Sequence, residues 1–401
     1  MRILISTWSL QVGGGEVLAM NLAAELERRG HEVFVFNQRA FLIDQDLVQR
    51  LLPASVKVLS MANKPFTSFW TNKANALQKR LGFKPSIYDQ QQQVYLAQCL
   101  REYKIDVVSS HSTFSDLMCA PVIAAQGIPM VITEHGDYSA FLLDGRQDFG
   151  SVLRAARRIL TVSDYCKHNL QQAFSDLPPI QTVYNGVVVQ QYDKQQMRDS
   201  LGIPADAFVF GMVSRGVEKK GWSYAVQAFR QVQQQLPEQK TRLVLVGGSA
   251  YLQQLRAECA TDEDIIFTGQ VPNPDFYVSG FDVGLLPSYF RTEALPLAVI
   301  EYMVNGKPSI ATRVGGVPEL LELATGHTGL LADIDPETHR PDLATLTTAM
   351  VRYCTEPELY AAHTQNAKTA RQQFTMEACA AQYEDAFQTA VGTPATTARR
   401  G

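Results

Sequence analysis

Two glutamates, Glu293 and Glu301, carry the clearest chemistry in the sequence, within the stretch from Asp282 to Glu319. The pattern predicts a helix from about Ala294 to Asn305, which the following Gly306 ends. Glu293 would then lie at the helix entrance and Glu301 about two turns in, so that both carboxylates project to roughly the same side. Carboxylates placed in this way can accept hydrogen bonds from the hydroxyl groups of a sugar.

The start of the same predicted helix offers groups of the opposite kind. The backbone amides of Ala294, Leu295 and Leu297 lie in or near its first turn, where unpaired donors and the helix dipole favour an anion. Acceptors for hydroxyl groups therefore stand beside donors for phosphate, which predicts a site for a nucleotide sugar. Two glutamates at this spacing are otherwise usually just solvated, so the interpretation depends on the sequence around them.

A basic loop follows the predicted strand at Phe208–Val213. It contains Arg215 and Lys220 before a new helix begins. Two cations at the carboxyl end of a strand suit a diphosphate whose charge grows as a glycosidic bond breaks. Lys219 offers a further positive charge in the same loop. The alternative to a diphosphate-binding loop is a basic turn that is simply solvated.

A glycine loop, Gly13 to Gly15, precedes the first helix, which is predicted to start at Glu16. Glycine lets a backbone approach a ligand closely. A dinucleotide-binding fold would need G-x-G-x-x-G directly after the strand and an acid at the end of the second strand. Here the glycines are late and consecutive and the second strand ends in Phe36-Asn37-Gln38, so a dehydrogenase is disfavoured. A plain flexible loop stays the alternative.

Three polar residues follow the predicted strand at Met130–Thr133, namely Glu134, His135 and Asp137. They would lie at the carboxyl edge of the sheet, where open α/β folds bind ligands. His135 is the candidate for a site residue, although a lone histidine at a strand end is more often structural. His111, after the preceding strand, is the weaker competitor, and Asp137 could face an acceptor.

Glycine also follows two further predicted strands. One is in Leu243–Ser249, which contains Gly247, and the other is in Phe267–Pro272. Either glycine alone is only a weak indication of a ligand-binding loop. No metal motif is convincing, because Asp262-Glu263-Asp264 stands in a polar loop directly before a strand and is interpreted as surface. The six cysteines are scattered without metal-binding spacing, which predicts buried thiols.

Length and composition predict two soluble α/β domains. The chain has 401 residues, too many for one compact core, with 46% hydrophobic and 19% charged residues. A net charge of -4 gives no reason to expect a nucleic acid partner. The N-terminal MRILIS is interpreted as a strand and not a signal peptide, and no stretch is long and apolar enough to span a bilayer, so a cytoplasmic protein is expected, at most attached to a membrane surface.

Apolar runs alternate with helical patterns from end to end, which predicts parallel sheets covered on both faces. The first sheet is predicted to contain six strands at Ile3–Ser6, Val33–Phe36, Val56–Leu59, Val107–Ser110, Met130–Thr133 and Ile159–Val162. The second is predicted to contain five strands at Phe208–Val213, Arg242–Val246, Ile265–Phe267, Phe281–Leu286 and Ser309–Ala311. The domains are predicted as residues 1–187 and 188–374, with a last helix at 375–391 that packs back on the first domain.

These motifs, in this order, resemble the retaining glycosyltransferases of family four, which have the GT-B fold. The E-x7-E pair of Glu293 and Glu301 is framed by LLPS, NGKP and GGVPEL, as in that family. The glycine loop, the histidine after its strand and the arginine–lysine pair also match, with Ser214 standing where glycine is common. The resemblance spans almost the whole chain and implies two Rossmann-like domains that face one cleft.

The resemblance also implies roles for the site residues. His135, Arg215, Lys220 and Glu293 would be catalytic, with Glu293 on the donor sugar and the two cations on the departing diphosphate. Glu301 would bind the ribose hydroxyls. The remaining donor contacts would come from Gly14, Gly15, Gly247, Gln270, Val271, Ala294, Leu295 and Leu297. The donor would be a UDP- or GDP-sugar, with no cofactor and no required metal, and the acceptor a sugar or a lipid-linked glycan. A sugar-nucleotide epimerase and a non-catalytic sugar-nucleotide-binding protein remain alternatives.

One basic segment, residues 51–88, has no Asp or Glu in a chain that is acidic overall. Its cations are Lys57, Lys64, Lys73, Lys79, Arg80 and Lys84. Interleaved apolar residues are Phe66, Phe69, Trp70, Leu77, Leu81 and Phe83. This combination predicts peripheral contact with anionic membrane headgroups; a solvated insertion whose aromatic side chains complete the core is the alternative.

Overall fold

A computed structural model describes residues 1–63, 65–80, 87–188 and 190–392, without the side chains of residues 65–68 and 72. The chain divides into two compact units. The first comprises Met1–Gly186 together with the chain from Met376, and the second is Val187–Thr375. The predicted domain boundary, after residue 187, lies one residue from the observed boundary after Gly186.

The first unit is built on a parallel sheet of seven strands in its described part, in the order β3-β2-β1-β4-β5-β6-β7. The strands are β1 (Arg2–Thr7), β2 (Glu32–Asn37), β3 (Lys57–Ser60), β4 (Val107–Ser110), β5 (Met130–Glu134), β6 (Arg158–Thr161) and β7 (Ile180–Thr182). Its helices before the second unit are α1 (Gly14–Arg28), α2 (Gln45–Leu51), α3 (Pro65–Arg80), α4 (Ile87–Glu102), α5 (Thr113–Gln126), α6 (Asp137–Leu143), α7 (Gly150–Ala155) and α8 (Asp164–Ala173).

The second unit repeats this arrangement with six parallel strands in its main sheet, counted over the described residues and ordered β10-β9-β8-β11-β12-β15. Its strands, including a short antiparallel pair, are β8 (Phe208–Val213), β9 (Thr241–Val246), β10 (Ile265–Gly269), β11 (Val283–Leu286), β12 (Ser309–Thr312), β13 (Glu322–Leu323), β14 (Gly326–His327) and β15 (Gly329–Ala332). Its helices are α9 (Lys194–Ser200), α10 (Trp222–Gln235), α11 (Ala250–Glu258), α12 (Pro274–Gly280), α13 (Leu297–Val304), α14 (Pro318–Leu321), α15 (Leu343–Thr355) and α16 (Pro357–Ala370).

The last helix, α17 (Met376–Gly392), belongs to the first unit and packs on α1. Its buried residues, among them Tyr383 and Phe387, join Leu18 and Leu22 in one apolar cluster beneath the sheet. Three short 3₁₀ turns at Met61–Asn63, Glu218–Lys220 and Arg371–Phe374 complete the regular structure of the described chain.

The apolar runs explain the strands, because residues on both faces of the central strands are buried. In β1 every residue from Ile3 to Thr7 is buried, as parallel strands covered by helices on both sides require. Two strands at sheet edges, β7 and β15, are absent from the predicted set. β7 has only three half-buried residues and β15 begins with glycine, so neither carries the hydrophobic run that identifies a central strand. No helix in the described residues combines the length and the apolar character that crossing a membrane requires.

Candidate active site

The second unit has a topological switch point between β8 and β11. The chain continues from β8 to β9 on one side, while β11 pairs with β8 on the other. The loops that leave such a strand pair diverge, so a crevice opens at their carboxyl ends, where open α/β sheets bind ligands. The loop after β8 contains Arg215 and Lys220, and the loop after β11 contains Glu293. The topology therefore brings predicted site residues from distant parts of the sequence to one edge.

Lys220 and Glu293 form an ion pair at this edge. The ammonium nitrogen of Lys220 lies 2.8 Å from both carboxylate oxygens of Glu293. The Ser288 hydroxyl donates a third hydrogen bond to Glu293, at 2.6 Å. Both charged side chains are about nine-tenths buried, at 11% and 9% exposure. Such a pair is held by charge-assisted hydrogen bonds and has little conformational freedom.

Glycines fix the backbone on which these two side chains stand. Gly315 has φ +52°, and a Cβ there would lie 2.1 Å from the carbonyl oxygen of Glu293. That same carbonyl accepts a hydrogen bond from the amide of Gly316 at 2.9 Å. Directly after Lys220, Gly221 has φ +86°, and a Cβ there would meet the Pro287 carbonyl at 1.9 Å. Only glycine allows these backbones to approach so closely.

Arg215 and Lys219 are both exposed in this unit. The Arg215 carbonyl accepts from the Trp222 indole at 3.1 Å, which fixes its backbone. Its guanidinium has no hydrogen-bond or ion-pair partner in the described part of the chain and is free to meet an anion. Lys219 lies beside the ring of Phe290, with its nitrogen 5.8 Å from the ring centroid. Lys220, not Lys219, thus pairs with Glu293.

The predicted helix start is wrong by three residues. Helix α13 begins at Leu297 with Pro296 as its N-cap, because proline disfavours helical backbone in the residue before it. Ala294 and Leu295 are buried in the preceding loop, and of the three predicted amides only that of Leu297 lies in the first turn. Glu293 therefore stands in the loop before the helix, and the two glutamates do not share one helix as predicted.

Glu301 lies in the middle of α13 and is half-buried. Its carboxylate has no hydrogen-bond donor among the described residues. Burial, and secondly the nearby charge of Asp275 on α12, raise the pKa of Glu301 to about 7. A carboxylate left without a protein donor in a shielded place is suited to accept hydrogen bonds from a ligand.

The neighbouring Tyr302 anchors α13 to the sheet. Its hydroxyl accepts from the Val213 amide at 2.7 Å, at the end of β8. The Tyr302 ring lies against Gly284 of β11, where a Cβ would come within 2.1 Å. The position of Glu301 is therefore fixed relative to both strands of the switch point.

The loops after β8, β9 and β10 stack against one another through backbone contacts. A Cβ on Gly247 would lie 2.5 Å from the Ser214 carbonyl, and one on Gly248 would lie 2.8 Å from Cβ of Gln270. Gln270 is exposed and Val271 half-buried. The predicted contacts Gly247, Gln270 and Val271 thus lie on adjacent loops at the same sheet edge as Lys220.

Two charged motifs, NGKP and the acidic loop at Asp262–Asp264, have structural partners within the protein. Lys307 of the NGKP motif donates to the Ser279 and Phe281 carbonyls at 2.9 and 2.8 Å, and burial lowers its pKa to about 8. In the acidic loop, Asp262 pairs with Arg230 at 2.7 Å and Asp264 with Arg242 at 2.6 Å. Within the described residues no group of three or more His, Cys, Asp or Glu side chains could hold a metal ion.

The first unit has its own switch point, where β1 pairs with β2 on one side and β4 on the other. The glycine loop follows β1, and α1 starts at Gly14, two residues earlier than predicted. Gly15 lies against the ring of His135, which follows β5; a Cβ on Gly15 would be 3.6 Å from the ring. The structure therefore brings Gly14, Gly15 and His135 together.

His111 contacts His135 directly. Its Nδ1 lies 3.2 Å from Nε2 of His135, and the Ser109 hydroxyl lies 2.9 Å from the other ring nitrogen of His111. Burial lowers the pKa of His135 to about 4, and burial together with His135 lowers the pKa of His111 well below its ordinary value. Both rings are therefore neutral near pH 7.

Two of the three acidic residues near these histidines, Glu134 and Asp116, have structural partners. Glu134 accepts from the amides of Tyr138 and Ser139 at 3.1 and 2.9 Å, and burial raises its pKa to about 7. Asp116 accepts from the Tyr138 hydroxyl at 2.7 Å, and burial raises its pKa to about 8. Asp137 is exposed and accepts weakly from Thr113, at 3.4 Å.

Three residues that shape this site, Ser288, Gly315 and Tyr302, were not predicted from the sequence. Ser288 and Gly315 stand in the motifs LLPS and GGVPEL, but neither motif shows that both residues contact Glu293. Tyr302 gave no signal, because an aromatic residue next to a helical glutamate is ordinary.

Two family patterns match the chain. The family described as Glycosyltransferase Family 4 matches residues 12–191, and the one described as Glycosyl transferases group 1 matches residues 207–352. Together they span most of both units. The chain belongs to the family-four glycosyltransferases.

Relatives and solved structures agree with this assignment. The glycosyltransferase is 25% identical over 390 residues to N-acetyl-alpha-D-glucosaminyl L-malate synthase of Bacillus anthracis, with 94% of each chain covered. It is 26% identical to D-inositol 3-phosphate glycosyltransferase of Corynebacterium efficiens, over 83% of this chain and 82% of the relative. The crystal structure of Anabaena Alr3699/HepE in complex with UDP and glucose superposes with a TM-score of 0.72, at 21% identity, over 97% of this chain and all of that one. The predicted GT-B fold is confirmed.

We expect Gly315→Ala to destabilise the glycosyltransferase more than Gly202→Ala. Both glycines have left-handed backbone, at φ +52° and +65°, but a Cβ on Gly202 meets nothing within 4 Å. Gly202→Ala should cost about 1–2 kcal/mol for the conformation alone, whereas Gly315→Ala adds a collision with the Glu293 carbonyl. Urea denaturation of both variants measures the difference. Equal losses would show that the Gly315–Glu293 contact relaxes freely.

We expect the stability of Glu301→Gln relative to wild type to increase with pH. Because the folded-state pKa of Glu301 is raised from 4.5 to about 7, the stability tied to its proton is present below pH 4.5 and lost as pH rises through 7. Glutamine does not titrate, and each pKa unit is worth about 1.4 kcal/mol. Urea denaturation between pH 4.5 and 7.5 tests this, with exposed Glu263→Gln as the control. A difference that stays constant with pH would contradict the raised pKa.

Proposed function

We propose that this glycosyltransferase moves a sugar from a nucleoside-diphosphate donor to an acceptor hydroxyl with retention at the anomeric carbon. The observation that carries the proposal is the Lys220–Glu293 pair at the β8–β11 switch point. It places a cation suited to phosphate beside a carboxylate suited to sugar hydroxyls. The complex of Alr3699/HepE with UDP and glucose supports a nucleotide-sugar donor.

In the proposed reaction, the bond between the anomeric carbon and the β-phosphate oxygen breaks while the acceptor oxygen bonds to the same face of that carbon. Lys220 and Arg215 stabilise the negative charge that grows on the departing diphosphate. The diphosphate leaves with the electron pair of the broken bond, and its oxygen takes the acceptor's proton. No protein base is needed in this scheme.

The remaining residues bind and orient the donor. Glu293 accepts from hydroxyl groups of the transferred sugar, and Glu301 accepts from the ribose hydroxyls. Phosphate and base are held by backbone groups of the loops at the same edge, at Gly247, Gln270, Val271, Ala294, Leu295 and Leu297. His135, with Gly14 and Gly15, contributes from the first unit. The donor is proposed to be a UDP- or GDP-sugar, and the acceptor a sugar or a lipid-linked glycan.

A sugar-nucleotide epimerase and a silent sugar-nucleotide-binding protein are the alternatives. An epimerase needs acid and base groups on the sugar but no acceptor, so incubation with a nucleotide sugar alone would yield an epimerised donor. A silent binding protein would bind the donor without turnover. The glutamate pair, Glu293 and Glu301, and the cation pair, Arg215 and Lys220, argue against a silent binding protein.

Calorimetry with UDP and GDP tests the proposal directly. We expect Glu301→Ala to weaken nucleotide binding by about 1.5–3 kcal/mol, the usual worth of hydrogen bonds to a charged group. Glu293→Ala should leave this binding nearly intact, because its proposed partner is the sugar, which neither ligand contains. Equal losses in both variants would contradict the two roles, and no binding of either nucleotide to wild type would overturn the proposed donor.

The rate at which nucleoside diphosphate is released from the donor tests the roles of the two cations. A thermal-shift screen of nucleotide sugars first identifies that donor. We expect Lys220→Ala and Arg215→Ala each to lower the rate on the order of 10²–10³-fold, as removal of one preorganised donor to the transition state does. Lys219→Ala is the matched control, because this exposed neighbour does not pair with Glu293. A rate within a few-fold of wild type in either variant would remove that residue from the site.

The same reaction tests the finer parts of the proposal. The rate should be unchanged in EDTA; complete loss that Mg²⁺ or Mn²⁺ restores would overturn the metal-independent scheme.

With an acceptor present, the anomeric configuration of the product, read by NMR, should equal that of the donor, and inversion would contradict retention.

We also propose that helix α3 contacts anionic membrane surfaces. Phe69, Trp70 and Leu77 on this helix are each more than half exposed, so these side chains do not complete the core. The ammonium of Lys73 lies 4.5 Å from the Phe69 ring centroid, which combines cation and aromatic surface in one place. Of the predicted segment, Lys64, Leu81, Phe83 and Lys84, and the side chain of Phe66, lie outside the described residues.

Sedimentation with liposomes tests this contact. Binding should require anionic lipid and weaken with salt. Replacing Lys73, Lys79 and Arg80 by Gln should weaken it, because each basic residue near such a surface is worth about 1 kcal/mol. Replacing three exposed cations elsewhere (Arg101, Lys240 and Arg371) by Gln is the control. Equal recovery of wild type with anionic and neutral vesicles at low salt would overturn the proposal.

A further inference from the structure

His111 and His135 of the first unit are linked in a chain that starts inside the sheet. Ser109 on β4 is completely buried, His111 follows two residues later, and His135 is half-buried after β5. The hydrogen bonds run from Ser109 to Nε2 of His111, at 2.9 Å, and from Nδ1 of His111 to Nε2 of His135, at 3.2 Å. We propose that Ser109 and His111 form a relay that holds His135 with its proton on Nδ1, so that His135 meets the substrate as a hydrogen-bond donor and not as a base.

The direction of the relay follows from Ser109. Its hydroxyl has no partner other than His111 in the described part of the chain. If Nε2 of His111 carried the proton, it would donate to Ser109, and the buried O–H would have no acceptor. Leaving such a donor unpaired is costly. The hydroxyl therefore donates to Nε2 of His111, which must be unprotonated.

The proton on His111 then determines the proton on His135. A neutral imidazole with Nε2 unprotonated carries its hydrogen on Nδ1, so His111 donates from Nδ1 to Nε2 of His135. The neutral His135 ring consequently keeps its own hydrogen on Nδ1. That nitrogen has no partner among the described residues, and a Cβ on Gly15 would lie only 3.8 Å from it. The free donor thus lies beside the start of α1.

The surroundings support a donor and not a base. In histidine bases, a carboxylate on the second nitrogen stabilises the imidazolium. No carboxylate of the described chain hydrogen-bonds to either ring, since Glu134 faces backbone amides and Asp116 faces Tyr138. A neutral imidazole gives the imidazolium no such help, and burial of both rings opposes charge.

Helix α17 keeps the relay in place. The Tyr383 ring stacks on His111, with centroids 5.9 Å apart and planes 17° apart. The Tyr383 hydroxyl donates to Thr133, two residues before His135, at 3.3 Å. One side chain of the last helix therefore packs on one histidine and ties down the strand that carries the other. His111 is a positioning residue, and this inference rests on the proposed function only in placing substrate at His135.

NMR of the protein labelled with ¹⁵N-histidine tests the relay without any substrate. Long-range ¹H–¹⁵N spectra show which nitrogen of each ring is protonated, and spectra of His135→Gln and His111→Gln assign the two rings among the seven histidines. We expect the rings of His111 and His135 both to carry their proton on Nδ1. The preference should be about 5- to 150-fold, the ratio that matches the 1–3 kcal/mol of an unpaired buried donor.

Two serine variants separate the relay from general packing. Ser109→Ala removes the hydroxyl that fixes the direction, so the two tautomers of His135 should approach equal populations. Ser110→Ala is the matched control, because this buried neighbour on β4 bonds to Ser115 and not to a histidine. A proton on Nε2 of His135 in wild type, an unchanged tautomer in Ser109→Ala, or an equal change in Ser110→Ala would each overturn the relay. Calorimetry with UDP and GDP would still report separately on the proposed donor.

Discussion

The ion pair between Lys220 and Glu293 is the interaction on which the second unit's site depends. Both charges are largely removed from water, so each needs the other, and removal of either leaves a buried charge unpaired. The pair can form only because β8 and β11 are neighbours in the sheet although their loops are some seventy residues apart in sequence. Ser288, Gly315 and Gly221 then hold the two backbones where the charges meet.

The first unit uses the same strand topology with different chemistry. Its switch point carries neutral imidazoles in place of an ion pair, and each polar group is fixed by a hydrogen bond from deeper in the sheet. Two buried acids of this unit, Glu134 and Asp116, accept hydrogen bonds from backbone amides and from a tyrosine hydroxyl. The switch point of the second unit therefore carries a charged pair, and that of the first carries neutral rings.

Sequence patterns predicted the central strands and the loops that carry the candidate site residues, because both follow from local regularities. Buried parallel strands leave apolar runs, and glycines after strands mark loops that approach a neighbour. The failures were of two kinds. Pro296 moved the start of α13 to Leu297, where a local rule outweighed the hydrophobic pattern, and the edge strands β7 and β15 were too short or too polar to recognise. The partner of Lys220 and the relay to His135 depend on strand order, which no local pattern contains.

Glu301 and Arg215 support the proposed donor of the second unit's site. A half-buried carboxylate without a protein donor costs stability, and its pKa of about 7 reflects that cost. A phosphate would repel it, whereas hydroxyl groups would supply the missing donors. At the same sheet edge, Arg215 has an open guanidinium that needs an anion. A single ligand that satisfies both must carry hydroxyl groups at one place and negative charge at another. The proposed nucleoside-diphosphate donor has this distribution.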